Sequence, residues 1–539
     1  MSDAPQAGRA ALSRSAAGDH NPWLIAVVVS IATFMLVLDT SIANVALLNI
    51  AGDLAAGADE ATWILTTYLV ANAIIIPVSG WLASIVGRKR FYMICVAGFT
   101  LSSLMCGLSW NLQSLIFFRI MQGLSGGGMA PSEQSILADT FPPEKRAQAF
   151  ALYGVAVIIA PTVGPTLGGW ITDNFSWHWI FFINVPFGIL SLCLVQWLLV
   201  EPPALVEERR ERLKHGLKVD WIGFTLVTVW LGCLEIVLDK GQRDDWFSSG
   251  FIITFAAISV VAFLLFVPWE LSRRDPIVDV RLVLTRQFGT AFAIMLGVGA
   301  ILFGSTQILP QMMQEAYGYT AYLSGLALMP GGIAMLVIMP LAGQVTNLIQ
   351  AKYLIAAGML IIALAMWHMT GLDGHVTFGW LASARVYQMI GLPFLFIPIN
   401  TAAYAGLPPS KTNQASSLIN VSRNLGGSFG ISLANTELAQ RSQFHHARLV
   451  EHVYPSSPAY HHTTEQAAHY FAAHGASAYN AKEMALSWIG QTIARQSTLL
   501  AYMDVFWIAG VFTLVLVPVT LLLLRPVKDY PGYEPPAVH

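Results

Sequence analysis

The chain has 539 residues and a net charge of −2, and only 11% of its residues are charged, against roughly 25% in an ordinary soluble domain. With 55% apolar residues and no clustered Lys and Arg, neither a water-soluble enzyme nor a nucleic-acid binder fits. A polytopic membrane protein is left.

Residues 1–22 are polar and rich in Ala and Ser, without a cleavage site, and read as a disordered tail rather than a signal peptide. Apolar runs near the ~20 residues that a bilayer demands then recur to the end of the chain. They lie at 24–47, 61–83, 91–110, 114–138, 147–172, 178–200, 219–239, 248–269, 288–313, 321–346, 353–371, 377–405, 411–437 and 500–524, fourteen predicted helices in all. Placing the N-terminus inside puts 20 of the 29 Lys and Arg in inside segments and 6 in outside loops. That asymmetry predicts two cytoplasmic termini. Cys95, Cys106, Cys193 and Cys233 all fall within apolar runs, with no metal-ligand spacing.

Charges at membrane depth are expensive, so each one inside a span is a functional candidate. In helix 1, Asp39 lies about 12 Å from the outer end at ~1.5 Å per residue, and in helix 4 Arg119 lies about 7 Å deep. An ion pair between them, direct or through water, is feasible, and it would set two opposing influences on the carboxyl group, desolvation and a neighbouring cation. Glu133 follows Arg119 by fourteen residues, which at about 100° per residue returns it to within ~40° of the same face, a placement that would line an inward-facing cavity. In helix 5, Ala160, Gly164 and Gly168 recur at intervals of four, with Pro161, Pro165 and Gly169 one step on. Small residues at that spacing admit a close neighbour, and the prolines bend the segment, as a sliding contact between two halves requires. Glu235 and Glu437, close to outer helix ends, read as solvated carboxylates. Arg423 falls near mid-depth of helix 13 and must face protein or water.

An internal repeat organises these spans. Arg119, Gln122, Pro142, Pro143 and Lys145 recur 266 residues later as Arg385, Gln388, Pro408, Pro409 and Lys411. Pro77, Gly80 and Lys89 recur 263 residues later as Pro340, Gly343 and Lys352. The domains that follow are a six-helix bundle over 23–200, a charged cytoplasmic linker over 201–218 and two inserted helices over 219–270. A second six-helix bundle covers 287–524, and the tail is 525–539. Paired bundles of one orientation, with substrate handled between them, are a transporter architecture.

The residues at these positions resemble the major facilitator superfamily, specifically its fourteen-helix drug:proton antiporters of the EmrB type. The resemblance rests on Leu38-Asp39-Thr40-Ser41-Ile42-Ala43-Asn44 in helix 1, Gly80-Trp81-Leu82-Ala83 with Gly87-Arg88-Lys89-Arg90 around loop 2–3, and Arg119-Ile120-Met121-Gln122-Gly123 in helix 4. Gly164-Pro165-Thr166-Leu167-Gly168-Gly169 is similar to the antiporter motif of helix 5, and Arg423-Asn424-Leu425-Gly426-Gly427 to helix 13 of the EmrB type. One departure is Ser84, where the loop 2–3 motif usually carries an Asp; Asp139 is then a candidate partner for Arg88.

The resemblance implies an all-α membrane fold of two six-helix bundles plus two linker helices, and a secondary active exporter rather than an enzyme. Its expected cargo is lipophilic, drug-like small molecules exchanged for protons across a bacterial inner membrane. Asp39 and Arg119 would carry the proton coupling. Glu133, Gln122, Arg423 and Asn44 are the cavity candidates, and Gly80, Gly87, Arg88, Lys89 and Asp139 the conformational motif. A periplasmic adaptor protein and an outer-membrane channel are the implied partners, and no nucleic acid is.

Residues 438–499 read as a long outer loop with short helices, either docking an adaptor or capping the outer vestibule. Seven of the 13 histidines fall there without a metal-site spacing. No Walker sequence is present, so no ATP is called for and the expected energy source is the proton gradient, with no cofactor. A proton-coupled importer on the same fold is the nearest alternative.

Overall fold

The computed structural model describes residues 21–524 other than 202–205, 208, 211–213, 215–218, 274, 374–375 and 455. The tails, apart from residues 21 and 22, and most of the linker lie outside the described residues. Backbone polar groups in lipid must be satisfied within their own segment, so each apolar run folds as a helix. These are α1 (Pro22–Asp53), α2 (Trp63–Val86), α3 (Arg88–Gly107), α4 (Leu112–Gly126 and Met129–Thr140), α5 (Pro143–Asn174), α6 (Trp179–Phe182 and Asn184–Leu198) and α7 (Trp221–Lys240). They continue as α8 (Gly250–Ser272), α9 (Arg286–Glu315), α10 (Ala321–Val345), α11 (Ala351–His368), α12 (Phe378–Gly391 and Pro393–Ala403), α13 (Thr412–Val450) and α14 (Ala478–Leu523).

All fourteen predicted runs fall on helices. Among the described residues, eleven of these are long and apolar enough to cross a membrane, or twelve if the two arms of α5, bent by 40° beside Pro161, count as one span. The other two are excluded for different reasons. Gly127 and Gly128 split α4 into arms of 15 and 12 residues, and α13 is long but polar.

Helices α1–α6 pack among themselves, chiefly α1 on α5, α2 on α4 and α3 on α4, while α9–α14 form a second bundle in which α9 lies along α13 and α10 along α12. The halves meet where α5 runs along α10 and where α13 crosses α2 and the second arm of α4. Glycines from the repeat serve both contacts. A Cβ on Gly80 would stand 2.8 Å from the Asn413 carbonyl oxygen, and one on Gly343 3.3 Å from Gln148 Cα. The inserted α7 and α8 pair with each other, and α7 leans on α2.

Hydrogen bonds between the halves cluster at the end of the molecule that carries the chain termini. Ser416 Oγ donates to Pro131 O at 2.5 Å, Ser417 Oγ to Ile76 O at 2.6 Å, Asn420 Nδ2 to Gln134 Oε1 at 2.8 Å and Asn347 Nδ2 to Glu144 O at 2.7 Å. The structure is closed on that side.

The expected loop at 438–499 is mostly helix. α13 has 39 residues and α14 has 46, so at ~1.5 Å per residue they run about 58 and 69 Å, well past a hydrocarbon core of roughly 30 Å. The short helix Pro458–Ala473 packs on α14 to complete a hairpin at the opposite end from the termini. A polar sequence marks where a chain leaves lipid, but it does not end a helix.

Gly87, between α2 and α3, has φ +98°, and a Cβ there would come within 2.5 Å of Glu201 Oε1. Gly87→Ala is therefore expected to cost about 1–3 kcal/mol of stability, read as a lower melting temperature of the purified protein.

Candidate functional site

Five helices converge on one carboxylate. Asp39 of α1 is 2% exposed and Arg119 of α4 fully buried, and their side chains pair directly, Nη1 to Oδ2 at 2.7 Å. The other carboxylate oxygen accepts from Gln122 Nε2 at 2.9 Å and Asn184 Nδ2 at 2.7 Å. Ser103 Oγ of α3 ties these two amides together, at 2.6 Å from Gln122 and 3.0 Å from Asn184. Arg119 also donates to Gln122 Oε1 at 2.7 Å and Ile64 O at 3.2 Å, and lies 4.2 Å over the Tyr68 ring.

Three donors converge on this one buried carboxylate, and breaking a pair of this kind by removing one partner typically costs about 3–5 kcal/mol.

Asp39, Arg119 and Gln122 were legible in the sequence. Gln122, however, is enclosed in this network and lines no cavity. Asn184, Ser103 and Tyr68 carried no signal beyond being polar or aromatic within apolar runs.

The second half repeats the arrangement without the acid. Arg385 donates to Gln388 Oε1 at 2.7 Å and Thr306 Oγ1 at 3.2 Å, and Gln388 bonds Ser305. Ser305 and Thr306 stand where the repeat offset carries Asp39. Gly331 lies at the offset from Tyr68, and a Cβ there would meet Arg385 Cγ at 2.7 Å. The carboxylate is confined to one half.

Glu133 is also fully buried, accepting from Thr33 and from Tyr92 OH at 3.2 Å. It points into the first bundle between α1 and α3 rather than onto a cavity wall. Gly127 and Gly128 both keep right-handed helical angles, with φ −60° and −84°, so the rotation carries through the break, and Arg119 and Glu133 both bond to α1, at Asp39 and Thr33. Arg423 is 8% exposed on the α13 face that bears Ser416 and Asn420, and its charge acts on Glu133 and Tyr153. Asn44 is exposed on α1.

At the end carrying the termini, Arg88 pairs with Asp139 and donates to Ser135 O at 3.2 Å. Lys89 Nζ reaches Gln196 O at 2.8 Å, and Arg209 bridges Glu201 at 3.0 Å and Val86 O at 3.2 Å. Ser84 donates to the Trp81 carbonyl on its own helix. The partner of Arg88 thus comes from α4 in place of the missing acid of loop 2–3.

The small residues of α5 face a different neighbour from the one expected. A Cβ on Gly164 would strike Ser41, and one on Gly168 would lie 3.0 Å from Ile42, both on α1 of the same half, while Gly169 has open space around it. Contact with the other half uses the opposite side of α5, where Gly154 meets Met339 and Thr166 meets Gly325. Spacing identifies a close contact but not its partner. Pro161 and Pro165 lie inside the helix, and the bend falls at the first.

Glu235 corrects the solvated reading. It is 5% exposed and accepts from Ser428 Oγ of α13 at 2.7 Å. One turn on, Asp239 bonds Thr66, and Lys240 Nζ reaches Thr62 Oγ1 at 2.5 Å. Helix α7 is therefore bonded to both halves. No group of three or more potential metal ligands occurs among the described residues.

The Major Facilitator Superfamily model matches residues 29–431. The chain is 37% identical over 495 residues to the multidrug export protein EmrB of Escherichia coli K12, covering 92% of this chain and 94% of that one. It is 36% identical over 497 residues to the fatty acid resistance protein FarB of Neisseria gonorrhoeae, covering 92% and 95%. Among solved structures it resembles the proton:xylose symporter XylE bound to 6-bromo-6-deoxy-D-glucose, with a TM-score of 0.57 at 14% identity over 92% of this chain and 96% of that one.

Proposed function

The chain belongs to the major facilitator superfamily, and from that premise we propose that it is a proton-driven multidrug exporter of the EmrB type. It exchanges inward protons for outward lipophilic compounds. The observation that carries this reading is the Asp39–Arg119 pair, a carboxylate held by three donors in one half while the equivalent position of the other half is acid-free. One exchangeable proton site set against a neutral counterpart lets protonation bias a single bundle. Export rather than import is favoured by relatives named for export and resistance.

The termini lie in the cytoplasm of a bacterial cell and the protein in its inner membrane, in keeping with the distribution of Lys and Arg. The closed side then faces the cytoplasm, and the α13–α14 hairpin stands in the periplasm. There the hairpin offers an exposed helical surface to an adaptor protein, through which an outer-membrane channel completes the export path. Proton binding from the periplasm frees Asp39 from its donors, and release on the cytoplasmic side re-forms the pair.

Reconstituted into proteoliposomes, the protein is expected to concentrate a fluorescent lipophilic cation when a proton gradient is imposed. Adding the cation without a gradient should release protons from the protein, read with a pH-sensitive dye. Accumulation that ignores the proton gradient would overturn the reading.

A further inference from the structure

The inserted helix α7 is anchored differently at its two ends. Toward the termini it is tied to α8. There Asp220 caps α7 through Gly223 N at 3.0 Å, accepts from Trp269 Nε1 at 2.9 Å and pairs with Arg273 at 3.6 Å. At the opposite end it grips both halves. Glu235, 5% exposed, accepts from Ser428 Oγ of α13 at 2.7 Å, and Trp246, just past α7, donates from Nε1 to Thr436 Oγ1 of α13 at 3.1 Å. On its other flank Asp239 bonds Thr66 of α2, and Lys240 bonds Thr62 at the start of that helix.

The boundary between α2 and α13 is therefore held in two ways. Toward the termini the helices touch, with Asn413 against Gly80 and Ser417 bonded to Ile76 O. Away from the termini α7 bridges them through two carboxylates one turn apart, Glu235 to α13 and Asp239 to α2. Rocking that opens the termini side must change the spacing of α2 and α13 at the far end, and a helix bonded to both fixes that spacing. Ser428 Oγ also has Asn424 O of its own helix within 3.2 Å. The hydroxyl would be satisfied without Glu235, so what their bond adds is the link between helices.

We propose that Glu235 is a positioning residue for transport: through Ser428 it straps α13 to α7, and so to α2, and holds the termini side closed. The proposal goes beyond the export reading, and needs neither its cargo nor its proton.

The test uses the full-length protein in lipid nanodiscs, with the four native cysteines replaced and Ser416→Cys reporting on the closed side. Its rate of labelling by a water-soluble maleimide is read without substrate or proton gradient, so failure of the export reading leaves the result intact. Glu235→Ala and Ser428→Ala are each expected to raise the rate about threefold or more, and the double variant no further than the larger single one. Glu235→Gln, whose amide oxygen still accepts from Ser428, should raise it by less than half as much as Ala. Ser191→Cys, buried in the first bundle, should stay protected in every variant, which separates opening from unfolding. A rate within about 1.5-fold of the parent in either alanine variant overturns the strap. So does an equal rise with Gln and Ala, a multiplied effect in the double variant, or a matching rise at Ser191→Cys.

Discussion

Asp39→Asn is expected to abolish proton-coupled transport, cutting gradient-driven accumulation at least tenfold and removing substrate-induced proton release altogether. The substitution keeps the shape of the side chain but takes away the group to which we assign the proton exchange. It also exposes Arg119 Nη1, now 2.7 Å from a carboxylate oxygen, to an amide that cannot neutralise it. The uncompensated guanidinium is expected to cost about 3–5 kcal/mol, softened by its bonds to Gln122 and Ile64 and by the Tyr68 ring. Loss of activity in the single variant could therefore reflect misfolding. The double variant Asp39→Asn/Arg119→Gln separates the two effects, because removing both charges together leaves no unpaired ion. It should regain most of the thermal stability and none of the coupling. Coupling retained in either protein would take Asp39 out of the mechanism.

Gly80→Leu is expected to hold the termini side open and to reduce transport at least tenfold. The atoms facing the missing Cβ are the Asn413 carbonyl oxygen and carbon at 2.8 and 3.0 Å and Gln414 Cα at 3.1 Å, all backbone. Backbone cannot turn aside as a flexible side chain does, so α13 must move off α2. The Ser417 bonds to Ile76 O and Pro77 O, at 2.6 and 2.9 Å, would then be lost together with the Ser416 and Asn420 bonds further along. The change can be read with a cysteine at Ser416, in protein lacking the four native cysteines. That thiol should be protected from a membrane-impermeant maleimide in the parent and become reactive in Gly80→Leu. Protection unchanged, with transport intact, would show that close approach at this glycine is dispensable.

The sequence exposed what is costly in lipid. Asp39, Arg119, Arg385 and Arg423 stand out because a charge within an apolar run needs a reason, and the repeat pairs Arg119 with Arg385. It concealed neutral partners, since Asn184 and Ser103 look like any polar residue in a helix. Counting rotation along one helix put Glu133 on the same α1-facing side of α4 as Arg119, but a face does not tell what encloses it, and Thr33 and Tyr92 do. The α5 stripe announced a close contact while leaving its neighbour unnamed, and that neighbour proved to be α1. Glu235 looked wet because it is near a helix end. A side chain's distance from the bilayer surface does not report what stands beside it, and here Ser428 does.

α13 runs without interruption for 39 residues, from the Ser416 and Asn420 bonds at the closed side into the hairpin beyond the membrane. It therefore acts as a lever whose short end is seated at the gate. At ~1.5 Å per residue its arm is close to 58 Å, so a rocking of about 10° at the seat would sweep the far tip through roughly 10 Å. Whatever grips that tip would feel each stroke of the gate, and could in turn hold the gate still.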